Sequence, residues 1–194
     1  MLAERWRDGV FDPANGMRQH ARALAFLAPR PGAWALNVGC GCNTRFNPLM
    51  REHDLQLEGI DVSAQMIALA RAADPAVVLH QADVCAWQPP RAYRFITAWD
   101  SIWHVPLAAQ RALLLKLMAA LEDGAIMVFS AGGLETAHEH VDASMGLDVY
   151  YGTLGVAGLL AVIAQAGCVC RHLEYDQYPE LHLYLVVQRL GAGE

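Results

Sequence analysis

Short apolar stretches alternate along this chain with longer segments whose apolar residues recur at helical spacing, and glycine or proline stands at most of the joints. A first helix is predicted over 16–28, stopping before Pro29. Strand 33–38, helix 44–53, strand 55–60, helix 63–73 with Ser63 as its cap, and strand 76–80 follow. A turn at Asp83 and the Pro89-Pro90 break lead to strand 93–99. Pro106 then opens a long helix whose Leu113, Leu114, Leu117, Met118 and Leu121 mark an apolar face. Asp123-Gly124 stops that helix ahead of strand 125–130. From Gly133 to Gly152 no period is evident, a length that in a compact domain belongs to a lid or binding loop. Helix 153–166 ends at Gly167. Strands 168–175 and 181–189 read as a closing hairpin, the second alternating as Leu181-His182-Leu183-Tyr184-Leu185. The βα alternation predicts an α/β fold, doubly wound and Rossmann-like, with helices on both faces of a mostly parallel sheet. The expected organisation is one domain over 1–194, with 1–30 as an N-terminal helical cap and 131–152 as a substrate-side loop or lid.

At 194 residues the chain is long enough to bury a sizeable core, and 55% hydrophobic content suits strands covered on both faces. The net charge of -6 gives no general attraction to phosphate backbones, so nucleic acid is an unsuitable partner. Lys116 is the single lysine among 14 basic residues, a bias of GC-rich bacterial genomes. Charges break up the first eight residues where a signal peptide needs an apolar core. No apolar run is long enough to span a bilayer, so a soluble, cytoplasmic protein without a membrane partner is expected. The five cysteines fit reduced, buried thiols better than a disulfide framework. The Cys40-x-Cys42 and Cys168-x-Cys170 spacings fit a structural metal poorly, and no metal is expected. The apolar excess serves a core or an interface equally well, leaving monomer and homodimer both open.

The chemistry concentrates where Ala35-Leu36-Asn37-Val38 runs into Gly39-Cys40-Gly41-Cys42-Asn43. Twenty residues after Gly41, strand Leu55–Ile60 ends at Asp61. A glycine turn admits a ligand to the backbone, and a carboxylate closing the next strand accepts both hydroxyls of a ribose; together they read as a nucleoside-binding crevice. A dinucleotide fingerprint is incomplete, because the sixth position from Gly39 is Thr44 and not glycine.

This segment resembles the first motif of class I S-adenosylmethionine-dependent methyltransferases, with two departures. Asn37 stands where the family commonly has a carboxylate near the methionine end of the cofactor, and Asn43 replaces the last glycine. The resemblance extends over nearly the whole chain and implies a seven-stranded sheet with an antiparallel C-terminal hairpin. It also implies S-adenosylmethionine as cofactor and methyl transfer to an O, N or C nucleophile of a small-molecule acceptor. In that frame Gly39, Cys40 and Gly41 bring backbone amides to the methionine part, and a helix from Thr44 points its positive end at the carboxylate. Asp61 holds the ribose, with Val62 and Met66 beside the adenine, or it is a plain helix N-cap. Asp83-Val84 resembles the family's adenine-edge contact, although Asp83 also suits a turn.

The segment Trp99-Asp100-Ser101-Ile102-Trp103-His104 resembles the one that lines the cofactor and part of the substrate pocket. His104 is the candidate general base, with Asp100 orienting it if this stretch turns helically; equally, His104 serves the start of the next helix. Trp99 and Trp103 form an apolar wall or belong to the core. Tyr150 and Tyr151 close over a small ligand or pack the loop. Phe11 and Arg18, on or before the first helix, complete the expected substrate pocket, with Trp6 and His20 nearby. His138, Glu139, His140 and Asp142 are read as a solvated loop face. Two other functions remain on this sequence: a degenerate S-adenosylmethionine-binding protein, motivated by Asn37 and Asn43, and an NAD-dependent oxidoreductase, for which Asp61 is equally suitable.

Overall fold

Strand after strand of this protein ends at the same edge of one sheet, and that edge carries the polar residues. The computed structural model describes residues 12–42, 44–143, 146 and 148–191. In chain order its elements are α1 (Met17–Leu24), β1 (Trp34–Val38), α2 (Asn47–Glu52), β2 (Gln56–Asp61), α3 (Ala64–Ala73), β3 (Val78–Gln81) and β4 (Tyr93–Ala98). A 3-10 turn (Ile102–His104) leads to α4 (Leu107–Ala119) and β5 (Leu121–Gly132). β6 (His138–Asp142), β7 (Val149–Thr153), α5 (Gly155–Gln165), β8 (Cys168–Tyr175) and β9 (His182–Arg189) complete the chain.

Seven strands form one sheet in the order β3-β2-β1-β4-β5-β9-β8. The first five run parallel, and β9 enters antiparallel between β5 and β8. This is the doubly wound, Rossmann-like class I methyltransferase arrangement expected from the sequence. Order reverses between β1 and β4, where a crevice must open at the carboxyl ends.

Two cores flank the sheet. Leu36, Val38, Ile60 and Ile96 pack with Leu113, Leu114, Leu117 and Met118 of α4 and with Leu159, Val162 and Ile163 of α5. On the other face Ala35, Phe95, Ile126, Val128 and Tyr184 meet Ala23 and Leu24 of α1 and Phe46 and Met50 at α2. β4 is buried at all six positions, as a central parallel strand covered on both sides should be.

Several boundaries differ from expectation for local reasons. α1 stops at Leu24, since the amides of Phe26 and Leu27 reach back only three residues, and Pro29 and Pro31 prevent recovery. α2 begins at Asn47 and not at Thr44, because Pro48 sits in its first turn, where a missing N–H costs nothing. Six residues long and displaced from the glycine turn, α2 does not supply the positive helix end expected there. α3 does start after Ser63, whose Oγ accepts the Met66 amide at 3.3 Å. Leu121–Gly132 is a longer strand than expected. The segment read as an irregular loop contains a hairpin, β6 pairing with β7 from His138↔Thr153 to Asp142↔Val149. Its alternation escaped notice because exposed β6 has no buried face to impose a pattern.

No helix covers the 82–92 segment between β3 and β4. Lys116 of α4 holds it instead, its ammonium donating to the carbonyls of Val84, Cys85 and Trp87 at 2.6, 2.8 and 2.8 Å. All three donors of the chain's single lysine are thereby used on one loop.

His20 of α1 is fully buried. Its Nδ1 donates to Gly16 O at 2.7 Å, Nε2 accepts from Thr97 Oγ1 at 2.6 Å, and the ring stacks on Phe46 with centroids 3.6 Å apart. Burial pushes its pKa down to about 3, so folding excludes the proton that the unfolded chain binds below pH 6.5. Stability should fall as the solution is acidified through that window. Urea unfolding at pH 7 and pH 5 should therefore differ by about 2 kcal/mol more in the wild type than in His20→Gln, which keeps a donor and an acceptor but cannot titrate.

Candidate active site

The first strand ends by fixing its glycine turn onto the second. The amides of Gly39 and Cys40 both donate to Ile60 O, at 2.8 and 3.0 Å, and Gly41 N donates to Asp61 Oδ2 at 2.9 Å. Asp61 Oδ1 accepts from Ser63 N at 2.8 Å. Each Asp61 oxygen thus carries one backbone donor and keeps acceptor capacity for a ligand hydroxyl. Val62, 72% exposed, projects beside it, and Met66 is half-buried one turn along α3.

The two turn glycines do different work. Gly39 has φ 65° and lies so close to β4 that an added Cβ would come 2.4 Å from Ser101 Cβ. Gly41 has φ 56° and is half-buried, yet a Cβ there would meet nothing described within 4 Å, so that side of the turn is open. Cys40 is half-buried, and burial, reinforced by Asp61, pushes its thiol up to about 12, so it stays protonated. Asn37 borders a cavity of about 20 Å³ with Cys40, Asn47 and Gly59 beneath the turn. Asp83 is exposed and folds back on its own loop, accepting the Cys85 amide at 2.8 Å, with half-buried Val84 held by Lys116. Asn43 and Phe11 lie outside the described residues.

β4 delivers the polar half of the site. Ser101 Oγ donates to Val38 O at 2.9 Å, tying the end of β4 to that of β1. Asp100, just before it, has φ 52°, a left-handed conformation that Asp tolerates better than most residues. Its amide donates to Ser130 Oγ at 2.7 Å, Oδ2 accepts from Asn15 Nδ2 at 3.1 Å, and Oδ1 lies 3.0 Å from His182 Nε2. The other ring nitrogen of His182 lies 2.5 Å from Asp176 Oδ1, and Gln19 Nε2 donates to Asp176 Oδ2 at 2.5 Å. Burial pulls the imidazole pKa down, but the hydrogen bonds and charges of Asp100 and Asp176 outweigh it, so the pKa lies above its ordinary value.

This arrangement corrects the expected Asp100–His104 pair. Asp100 is not helical and turns towards β9, while His104 sits in the 3-10 turn with both nitrogens engaged. Trp103 Nε1 donates to His104 Nε2 at 3.0 Å, leaving Nδ1 to donate to Tyr150 O at 3.0 Å. With its one basic nitrogen already accepting, His104 is a strut between the turn and β7, not a free base. Trp99 also departs from expectation. It is 5% exposed, its indole donates to Asn15 Oδ1 at 3.3 Å, and its ring packs among His20, His182 and Tyr184 on the α1 side. It belongs to the core and not to the cofactor wall.

Tyr150 uses its hydroxyl to accept the first α4 amide, Leu107 N, at 2.7 Å and to donate to Glu139 at 2.6 Å. It clamps the hairpin to the helix instead of closing over a ligand. Trp103 and Tyr151 are half-buried among rings: Trp103 meets the His182 ring edge-on at 5.4 Å, and Tyr151 stacks on His140 and tilts against His104. Arg18 is exposed and makes no ion pair among the described residues. His138 and His140 lie with ring centroids 5.6 Å apart, and no group of three or more metal-ligating side chains gathers among the described residues.

One part of the site escaped the sequence reading. Asp176 comes from the β8–β9 turn and His182 from the start of β9, more than 75 residues after Asp100. The available signal was a histidine on the alternating strand that must end beside β5. Beside them Gly133–Glu135, Tyr175, Tyr178 and Leu181 line an open cleft of about 620 Å³.

Residues 14–154 match the model of a methyltransferase domain family. The chain belongs to this family. Among curated proteins it is 32% identical over 120 residues to the dTDP-3-amino-3,6-dideoxy-alpha-D-glucopyranose N,N-dimethyltransferase of Streptomyces fradiae, an alignment covering 60% of this chain and 44% of that protein. The chain thus spans less than half the length of that relative. Solved structures repeat the fold. The SAM-bound amino pentose methyltransferase of calicheamicin biosynthesis from Micromonospora echinaspora aligns with a TM-score of 0.75 at 17% identity, over 97% of this chain and 96% of that one. A sugar N-methyltransferase from Streptoalloteichus aligns with a TM-score of 0.73 at 20% identity, over 98% and 93%. The family match displaces the oxidoreductase reading of Asp61. Among the described residues, no helix of this methyltransferase-family chain is long and apolar enough to cross a membrane.

Substitution of the two glycines should separate packing from binding. Gly39→Ala should lose about 3 kcal/mol, a drop of roughly 10 °C in Tm, since the methyl collides with Ser101 in a left-handed residue. Gly41→Ala should lose only about 1 kcal/mol but place its methyl on the open face, weakening S-adenosylmethionine at least tenfold by calorimetric titration.

Proposed function

We propose that this protein transfers the methyl group of S-adenosylmethionine to an amine of a small-molecule acceptor. The observation that carries the reading is a juxtaposition: the Gly39–Gly41 turn with Asp61 and the segment that carries Asp100 leave neighbouring strands at the same edge, joined by the Ser101–Val38 hydrogen bond. The residues fit the cofactor. Asp61 has acceptor capacity that would hold the ribose hydroxyls, exposed Val62 and half-buried Met66 would flank the base, and the carboxylate of Asp83 and the amide of Val84 would meet its edge. The bare backbone at Gly41, above Asn37, leaves room for the methionine part. When bound, S-adenosylmethionine supplies a sulfonium methyl group that leaves by in-line displacement.

In such a reaction the protein chiefly aligns the nucleophile and excludes water. Asp100, its side chain 23% exposed, presents a carboxylate that receives the hydrogens of an amine and turns its nitrogen towards the cofactor side. The cleft of about 620 Å³ beside Tyr178 has the size of a small-molecule site. An amine is favoured over a hydroxyl because Asp100 and Asp176 outnumber His182 by one charge in the cluster, and the amino-sugar relative has the same kind of acceptor. A cytoplasmic, bacterial setting accords with five cysteines held as thiols and the Arg-for-Lys bias.

One observation favours a second reading, a protein that binds the cofactor without turnover: Asn37 replaces the carboxylate common in class I methyltransferases. Titration and turnover separate the two. Wild type should bind S-adenosylmethionine and S-adenosylhomocysteine, and Asp61→Asn should weaken both about tenfold, the worth of one charge-assisted hydrogen bond. Supplied with a dTDP-linked amino sugar, the protein should form S-adenosylhomocysteine, and the corresponding hydroxyl sugar should give none. Binding without turnover on a panel of amines would leave the second reading standing.

A further inference from the structure

Among the described residues, Asp176 and His182 form an enclosed charged pair, their side chains only 3% and 8% exposed. We infer that they are positioning residues of the acceptor site, which hold the Asp100 carboxylate aimed so that it docks a cationic amine. This rests on the amine reading above and adds to it the residues that determine acceptor binding and its dependence on pH.

His182 is held at both ends, by Asp176 from the β8–β9 turn and by Asp100 after β4. Only the doubly protonated ring donates to both. If either proton leaves, a nitrogen lone pair faces a carboxylate at 2.5 or 3.0 Å, and one of the two carboxylates must turn away. The remaining neighbours are neutral donors. Asn15 and Gln19, from the α1 region, hold Asp100 and Asp176, and the Ser130 hydroxyl of β5 lies 3.2 Å from Asp100 Oδ1. Trp99 and Trp103 cover the ring. Among the described residues, Arg45, ahead of α2, and neutral His20 of α1 also feel the charge of Asp100. With His182 protonated the cluster of three carries one net negative charge, suited to one ammonium. Substrate deprotonation is separate: the bound ammonium gives its proton to solvent, the free amine takes the methyl group as the carbon–sulfur bond breaks, and the bonding pair stays on sulfur.

The direction of the His182 pKa fits this role, lying above its ordinary value near 6.5 once the two carboxylates offset burial. The test reads the ring and the reaction separately. In the cofactor-free protein, nitrogen-edited NMR titration should show His182 losing its proton above pH 6.5 in the wild type, and at lower pH in Asp176→Asn. With the dTDP-linked amino sugar as acceptor, Asp176→Asn and His182→Gln should raise acceptor KM about tenfold or more, the worth of a charge-assisted hydrogen bond. S-adenosylmethionine affinity should stay within twofold. The wild-type rise of acceptor KM at alkaline pH should move to lower pH in Asp176→Asn and vanish in His182→Gln. A ring that titrates at or below pH 6.5, or an unchanged acceptor KM in both variants, overturns the positioning role. Ring titration as expected, with cofactor binding intact but no amine methylated, overturns the amine reading and the role with it.

Discussion

The contact between Gly39 and Ser101 sets the geometry of the site. β1 and β4 are adjacent parallel strands at the point where strand order reverses. The left-handed glycine and the Ser101 hydroxyl on Val38 O let their ends approach as closely as backbones can. The turn above β1 leads to Gly41 and its Asp61 partner, and the residue before Ser101 is Asp100. One close packing therefore determines how far that turn stands from Asp100, and rigid strands hold both.

Charge is distributed unevenly across this edge. On the nucleoside side, Asp61 is organised by backbone amides at fixed positions, whatever the solution conditions. On the acceptor side, Asp100 is organised by a titratable ring that is itself held by a second carboxylate. The network draws on α1, β4, β5 and the β8–β9 turn, so the C-terminal hairpin contributes to the site as well as closing the sheet. His20 provides the contrast: its two partners are a carbonyl and a hydroxyl, with no carboxylate in contact, and burial leaves it neutral. Two buried histidines of one chain are thus pushed in opposite directions by their partners.

α4 links the two sides mechanically. Near its start, Leu107 N is taken by Tyr150, and Gln110 donates to the carbonyls of Val105 and Gly152, fastening the β6–β7 hairpin. Towards its end, Lys116 gathers the loop that carries Asp83 and Val84. Where a helix between β3 and β4 would have covered the sheet, a single ammonium holds the loop by its carbonyls.

What the sequence determined by itself is whatever depends on neighbours along the chain. The alternation of apolar runs and breakers is local, as are the glycine turn ahead of Asp61 and the Ser63 cap, and these specified the sheet, its helices and the nucleoside half of the crevice. The boundary errors at α1 and α2 were local too; Pro48 and the Pro29-Pro31 pair were visible but given too little weight. The acceptor half was legible only in part. No local rule could show that Asp100 turns from His104 to His182, or that Trp99 turns inward and the Tyr150 hydroxyl is spent on a helix amide. Those choices were made when β9 inserted antiparallel beside β5, bringing a histidine and an aspartate from the end of the chain against the tip of β4. Tertiary structure alone decided them, because a hydrogen bond between residues 82 positions apart depends on strand order and register, and spacing along the chain carries no record of either.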